Sequence, residues 1–236
     1  TLTDYLTGAT YAVQNGHITM NINVGGNILV TGASNGEYRD IYETSASEKT
    51  ICYYEDFADG TLKGYICRGE GAAISSGMFS VVNAGSPVTL LQSIPASDYT
   101  VKCRMSTVTG AEGVPVGVTA YVDSDNFVFA GRIILNGEKY LAIGEYVNGN
   151  PVIHKKVVDA VWDSQCIVQL QKVGADFSAV YSYDGVTWNT IGKNVRCNYS
   201  VQKAGLYVAA GVSVNVDYVS FGDAVSDGVS VNTPCY

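Results

Sequence analysis

Phe177-Ser-Ala-Val-Tyr181-Ser182-Tyr183-Asp184-Gly185-Val-Thr-Trp188 decides the fold class of this 236-residue chain. Residues 177–183 alternate at the two-residue period of a strand, and Asp184-Gly185 supplies the positive-φ positions of a tight turn. A second alternating stretch, Val186–Ile191, follows, and Trp188 reads as a core residue from its place after the turn. Outward from here the same signal recurs at Asn15-Gly16, Gly25-Gly26, Asn35-Gly36, Asp59-Gly60, Asn136-Gly137 and Asn148-Gly149. Alternation flanks these turns in His17–Asn23, Tyr99–Val108, Val114–Val122, Asn126–Leu135, Lys139–Val147, Gln165–Val173 and Val214–Phe221. No window of eleven or more residues carries a capped 3.6-residue apolar period, so helices are not expected. Many short strands spaced about 8–12 residues apart predict an all-β, two-sheet antiparallel sandwich.

Composition narrows the function classes. Charged residues make up 15% of the chain and the net charge is −8, with no cluster of Lys and Arg to neutralise phosphates, which argues against nucleic acid. Apolar residues reach 47%, too many for a disordered chain, yet no run of about 18 of them would insert in a bilayer. Six cysteines lack metal-finger spacing, and Cys103 and Cys166 fall inside apolar strand patterns, where a free thiol behaves as a small buried hydrophobe. The start at Thr1, with no charged-then-apolar leader, fits an exported protein whose signal peptide is gone or a piece of a longer chain. Seventeen tyrosines against six Phe and two Trp supply flat rings with polar tips, suited to wet sheet surfaces and to sugars.

The chain divides into a compact three-strand pattern over 1–31, a polar linker over 32–48, a sandwich over 49–223 and a tail over 224–236. About thirty residues cannot bury a core alone, so the first segment packs on something larger or ends a preceding domain. That segment, Asp4-Tyr-Leu-Thr-Gly through Gly26-Asn-Ile-Leu-Val, resembles the closing strands of the β-sandwich that follows the barrel in many glycoside hydrolases. The larger part resembles the concanavalin A-like jelly roll at the C-terminus of family 43 glycosidases and in related accessory modules. Glu55-Asp56-Phe57, Asp123-Ser-Asp125-Asn126-Phe127, the Phe177–Trp188 stretch and Val216-Asp217-Tyr218-Val-Ser-Phe221 carry this likeness. The resemblance implies a non-catalytic module of a secreted, bacterial multidomain glycoside hydrolase, at the cell surface or outside it, whose partners are a polysaccharide or oligosaccharide and the enzyme's catalytic domain. It also implies that one calcium ion ties the first and last strands together through Glu55, Asp56, Asp217 and Asp223, the oxygen-rich set that a hard cation prefers.

Catalytic machinery is not evident. Glycoside hydrolysis needs two carboxyl groups across a cleft, and jelly-roll glucanases set theirs two residues apart in an E-x-D-x-E run that this chain lacks. Glu55-Asp56, Asp123/Asp125 and Asp217/Asp223 read as turn and strand-end acids. His154 and the Lys203-Ala-Gly-Leu-Tyr207 run loosely resemble the proton-transfer residues of jelly-roll alginate lyases, but Val152 stands where a Gln belongs and no Arg-rich strand is present. The alternatives to a binding module are therefore a structural domain buttressing a catalytic one and, less favoured, a lyase or hydrolase.

Sugar faces combine rings that stack on pyranose C–H groups with planar polar groups that bind hydroxyls. Strand parity puts Val118, Ala120 and Val122 in the core and turns Thr119 and Tyr121 outward. It puts Phe127, Phe129, Gly131 and Ile133 in the core, turning Arg132 outward to avoid burying a charge. Tyr140, Ala142, Gly144 and Tyr146 share a face, with small residues leaving room for a sugar between two rings. Val168 and Leu170 face in, leaving Gln169 and Gln171 out. The expected binding set is Tyr121, Arg132, Tyr140, Tyr146, Gln169 and Gln171, with Trp162 as an exposed stacking platform and no catalytic residue.

Overall fold

A computed structural model describes residues 2–4, 10–12, 29–31, 53–62, 64–82, 84–94 and 98–224. The turns expected at 15–16, 25–26 and 35–36, the strand at His17–Asn23, the linker over 32–48 and the tail from 225 onward lie outside them, as do Cys52 and Cys235. Two compact units emerge, Thr1–Lys49 and Thr50–Tyr236. In the first, β1 (Leu2–Asp4) pairs antiparallel with both β2 (Thr10–Tyr11) and β3 (Leu29–Thr31).

The second unit is a sandwich of two antiparallel sheets, and no helix occurs among the described residues. The front sheet runs, in spatial order, β13 (Asn150–Val158), β12 (Glu138–Val147), β11 (Phe127–Leu135), β10 (Pro115–Tyr121), β17 (Lys203–Val208), β8 (Val88–Ser93) and β5 (Ile66–Arg68). The back sheet runs β16 (Asn189–Arg196), β15 (Asp176–Ser182), β14 (Cys166–Val173), β9 (Tyr99–Thr109), β18 (Ser213–Gly222), β7 (Met78–Val81) and β6 (Ala72–Ser75), with β4 (Tyr53–Glu55) also on β18. Strands β10 to β13 form a meander and β14 to β16 another, while β17 returns between β10 and β8, the crossover of a jelly roll. Two hairpin signals hold: Asn136-Gly137 and Asn148-Gly149 have positive φ at both positions and join β11 to β12 and β12 to β13. Asp59-Gly60 does not make a hairpin, since β4 before it pairs with β18 and β5 after it with β8, and at Asp184-Gly185 only the glycine has positive φ. In the turn after β15, the Asp184 carboxylate accepts the Val186 and Thr187 amides at 2.8 and 2.7 Å and the Ser182 hydroxyl at 3.0 Å.

Between the sheets lie Val116, Val118, Ala120, Val128, Ala130, Leu141, Ile143, Leu90 and Leu206 from the front and Val101, Cys103, Met105, Val168 and Leu170 from the back, all at most 1% exposed. Burying each of the Val, Leu, Ile and Met side chains among them stabilises the sandwich by about 1.5–3 kcal/mol. At the middle of the front sheet, Gly117 pairs with Gly131. A Cβ on Gly131 would lie 2.0 Å from the Val116 carbonyl oxygen, so the backbones approach only because neither residue has a side chain.

The parity expected for β10 is correct for Val118, Ala120, Thr119 and Tyr121, whereas Val122 lies past the strand end and is 41% exposed. For β11 it is inverted. Arg132 points between the sheets with its side chain fully buried, and its Nε lies 2.7 Å from Oδ2 of the equally buried Asp159. Its Nη2 donates to the Val161 carbonyl at 3.2 Å, its guanidinium carbon sits 5.4 Å from the centroid of the Trp162 ring, and the Tyr183 hydroxyl donates to Asp159 Oδ1 at 2.7 Å. The charge is tolerated inside because partners meet it there. Phe127, Phe129, Gly131 and Ile133 accordingly face the outer side of the front sheet.

Candidate functional site

The outer side of the front sheet carries a row of rings set by register. Tyr121, Phe127 and Tyr146 are cross-strand partners on β10, β11 and β12. Phe127 stacks on Tyr146 at 4.5 Å between centroids, on Tyr121 at 6.0 Å and against Tyr207 at 4.5 Å. Phe127 is closed off, while Tyr121 and Tyr146 stay half-buried. The room expected over Gly144 is taken: a Cβ there would meet the Phe129 ring at 2.8 Å. Tyr140 lies six residues from Tyr146 along β12, about 20 Å away, with the Lys156 ammonium 3.8 Å from its ring centroid.

Where the ring row reaches β17, the surface dips. Ile66, Arg68, Thr89, Leu91, Tyr121 and Lys203 line this depression, drawn from β5, β8, β10 and β17. Lys203 is the register partner of Tyr121, and Arg68 that of Thr89. Gly205, opposite Leu91, puts no side chain between them. Burial pushes the Tyr121 hydroxyl above its ordinary pKa, Asp123 and Asp125 add to this, and the Arg68 charge opposes it. Asp123 itself stays ionised below the usual carboxylate range because the Asp125 amide and the Asn126 side chain donate to it. The depression thus offers one aromatic face, two cations and a hydroxyl, the combination that grips a polar ring. Arg68, Thr89 and Lys203 were not among the expected residues. Lys203, Gly205 and Tyr207 share a face by simple alternation, which is a readable signal, but the three-residue β5 offers none for Arg68.

The expected binding set does not share one face. Tyr121 and Tyr146 come together. Arg132 and Trp162, the latter 4% exposed, are inside the sandwich. Gln169 and Gln171 are buried on the outer side of the back sheet, the opposite layer, alternating with core-facing Val168 and Leu170. Trp188 is half-buried on that same side, with the Lys102 ammonium 5.5 Å from its ring.

The four acids expected to hold calcium do not gather. Glu55 is buried and its Oε1 accepts the Phe57 amide at 2.7 Å, while Asp56 Oδ1 accepts the Ala58 amide at 3.2 Å. Asp217 meets Arg104 Nε at 3.4 Å and the Gln165 amide at 3.1 Å. Asp223 lies just past the end of β18, six residues from Asp217 and on the order of 20 Å away, too far to share one ion. The lyase pair is also divided: Tyr207 packs on Phe127 outside the front sheet, whereas His154 is four strands away, about 19 Å, and bonds Glu145 at 2.9 Å. Among the described residues one group of three metal-ligating side chains does gather, Glu145, His154 and Cys197.

The two facing antiparallel sheets define a concanavalin A-like sandwich. Residues 74–208 match the family described as the beta xylosidase C-terminal concanavalin A-like domain, and the chain belongs to that family. Among solved structures, the GH43 protein BlXynB from Bacillus licheniformis superposes with a TM-score of 0.61 at 12% identity, over 72% of this chain and 39% of that one. The Bacteroides ovatus xyloglucan PUL GH43B gives 0.57 at 12%, over 74% and 39%. This chain therefore spans about two-fifths of the length of those GH43 proteins. The exoplasmic/lumenal domain of VIP36, in a Ca2+/Man3GlcNAc-bound form, gives 0.52 at 9%, over 74% and 87%. No curated protein matches the sequence.

Proposed function

We propose that the sandwich is a non-catalytic carbohydrate-binding module of a secreted bacterial glycoside hydrolase, serving a catalytic domain of the same enzyme. The observation that carries this reading is the depression beside Tyr121, where a half-buried ring adjoins Arg68, Lys203 and Thr89. Membership of a family named for the C-terminal domain of beta xylosidase supports it, as does a fold neighbour that holds an oligosaccharide. Within the depression, Tyr121 stacks on the sugar, and Arg68, Lys203 and the Thr89 hydroxyl take its oxygens; Tyr146 extends the ring row toward a second residue of a longer glycan.

A glycan array, followed by native-gel retardation on plant, microbial and host polysaccharides, tests this. Retention that Tyr121→Ala abolishes supports the module. Absence of retention on every glycan overturns it in favour of a domain that only buttresses its catalytic neighbour.

A further inference from the structure

At the open edge of the sandwich, three side chains from separate strands converge. Glu145 is on β12, His154 on the edge strand β13, and Cys197 directly follows β16, the edge strand of the back sheet. Their ligating atoms all lie within 4.8 Å of one another, and His154 Nε2 is 2.9 Å from Glu145 Oε1. His154 reaches this place through a β-bulge. Ile143 pairs with Lys155 and Gly144 with Ile153, so His154 is the extra residue that the ladder skips. Without the bulge, alternation would turn His154 to the side opposite Lys155, which packs over Gly192 of β16; bulges re-aim side chains in this way. Cys197 is fixed from the other sheet, its amide donating to the Ala175 carbonyl at 3.0 Å, and is 2% exposed. The His154 side chain keeps 27% of its surface in solvent, which leaves an approach for an ion and a water.

We propose that Glu145, His154 and Cys197 bind a zinc ion that clips the edges of the two sheets together. One imidazole, one thiolate and one carboxylate form the mixed nitrogen, sulfur and oxygen set that zinc takes, with water in the fourth position. Tetrahedral ligands about 2.0–2.3 Å from zinc stand roughly 3.3–3.8 Å apart, so the present arrangement needs shifts of about an ångström to close. Binding exchanges the thiol proton for the metal, and that proton leaves to solvent. Calcium does not suit the site, because it prefers oxygen ligands alone.

The test uses the full chain, reduced and stripped with chelator, titrated with Co(II) and then Zn(II). The expected result is a thiolate-to-cobalt charge-transfer absorption that saturates at one equivalent and is displaced by zinc, with a thermal midpoint that rises on zinc addition. Cys197→Ser removes the absorption, and His154→Gln weakens cobalt binding at least tenfold. Both variants are checked for unchanged far-ultraviolet circular dichroism without metal. Absence of the charge-transfer band in the wild-type protein, or its persistence in Cys197→Ser, overturns the proposal; the first outcome leaves the three groups as a hydrogen-bonded cluster only.

Discussion

Arg132 and Arg68 are two guanidinium groups of the same front sheet, each set near an aromatic ring, but they occupy opposite faces of it. Arg132 has given up all contact with water and is held by Asp159, the Val161 carbonyl and the Trp162 ring. Arg68 is exposed at the rim of a depression beside Tyr121. The first cation joins the front sheet to the turn that follows β13 and thereby to Tyr183 beyond β15, so its work is internal. The second keeps an exposed side chain, within reach of a ligand in the depression. The layer to which a charge is assigned, rather than its type, separates a fastener from a contact.

The sharpest way to break this comparison is to remove one half of the internal pair. Asp159→Ala leaves Arg132 buried without its counter-charge, and the expected loss is about 3–5 kcal/mol in chemical denaturation. Replacing both residues with apolar ones of similar volume, Arg132→Met with Asp159→Leu, is expected to cost less than the single change, because no unpaired charge remains. A double variant as unstable as Asp159→Ala would show that the network matters for reasons other than charge. The rim responds in the opposite manner. Tyr121→Ala is expected to lower glycan affinity at least tenfold, about 1.4 kcal/mol, with a thermal midpoint close to wild type. Arg68→Ala follows with a smaller loss of binding. If either change unfolds the sandwich, the rim residues belong to the scaffold after all.

The same contrast explains which parts of the molecule are legible in the sequence. The turns at Asn136-Gly137 and Asn148-Gly149 are local chemistry, so they are read directly, and so is β10, where Val118 and Ala120 differ plainly from Thr119 and Tyr121. In β11 both faces are apolar, Phe127, Phe129 and Ile133 on one and Val128 and Ala130 on the other, so periodicity cannot choose between them. Arg132 was the only discriminator, and its meaning depends on Asp159, twenty-seven residues away. The depression is harder still. It takes one or two side chains from each of four strands, and one of those strands is only three residues long. His154 escapes alternation for yet another reason, since a bulge breaks the period where that residue stands.

Lys102 extends the comparison to a buried cation that can lose its charge. It is 6% exposed on the outer side of the back sheet, and desolvation lowers its pKa to about 8, against about 10.5 when unfolded. Between those values Lys102 itself holds fewer protons folded than unfolded, so its own contribution to stability rises with pH across that window. Burial raises the Cys103, Cys166 and Cys197 thiols and works against this above pH 9, so the expected signature is a difference: in thermal melts from pH 7 to pH 10.5 the wild-type protein gains stability relative to Lys102→Met. An identical slope in both would mean that Lys102 remains hydrated.

Asp184 gives the smallest effect and isolates the role of burial. Like Asp159 it is a carboxylate with several donors, but it is exposed, and its partners are the Val186 and Thr187 amides and the Ser182 hydroxyl in its own turn. Those donors hold its carboxyl well below the usual carboxylate range. A carboxylate depressed in the folded state contributes stability that is present above its unfolded pKa, about 4, and is lost as the pH falls further toward the folded value. Melts taken from pH 6 down to pH 2 should therefore decline more steeply in the wild-type protein than in Asp184→Ala. Because water screens an exposed group, the difference should be far smaller than the loss in Asp159→Ala, although both residues carry the same charge and a comparable number of donors. Equal losses at the two positions would show that donor count alone, irrespective of layer, sets the value of a carboxylate in this sandwich.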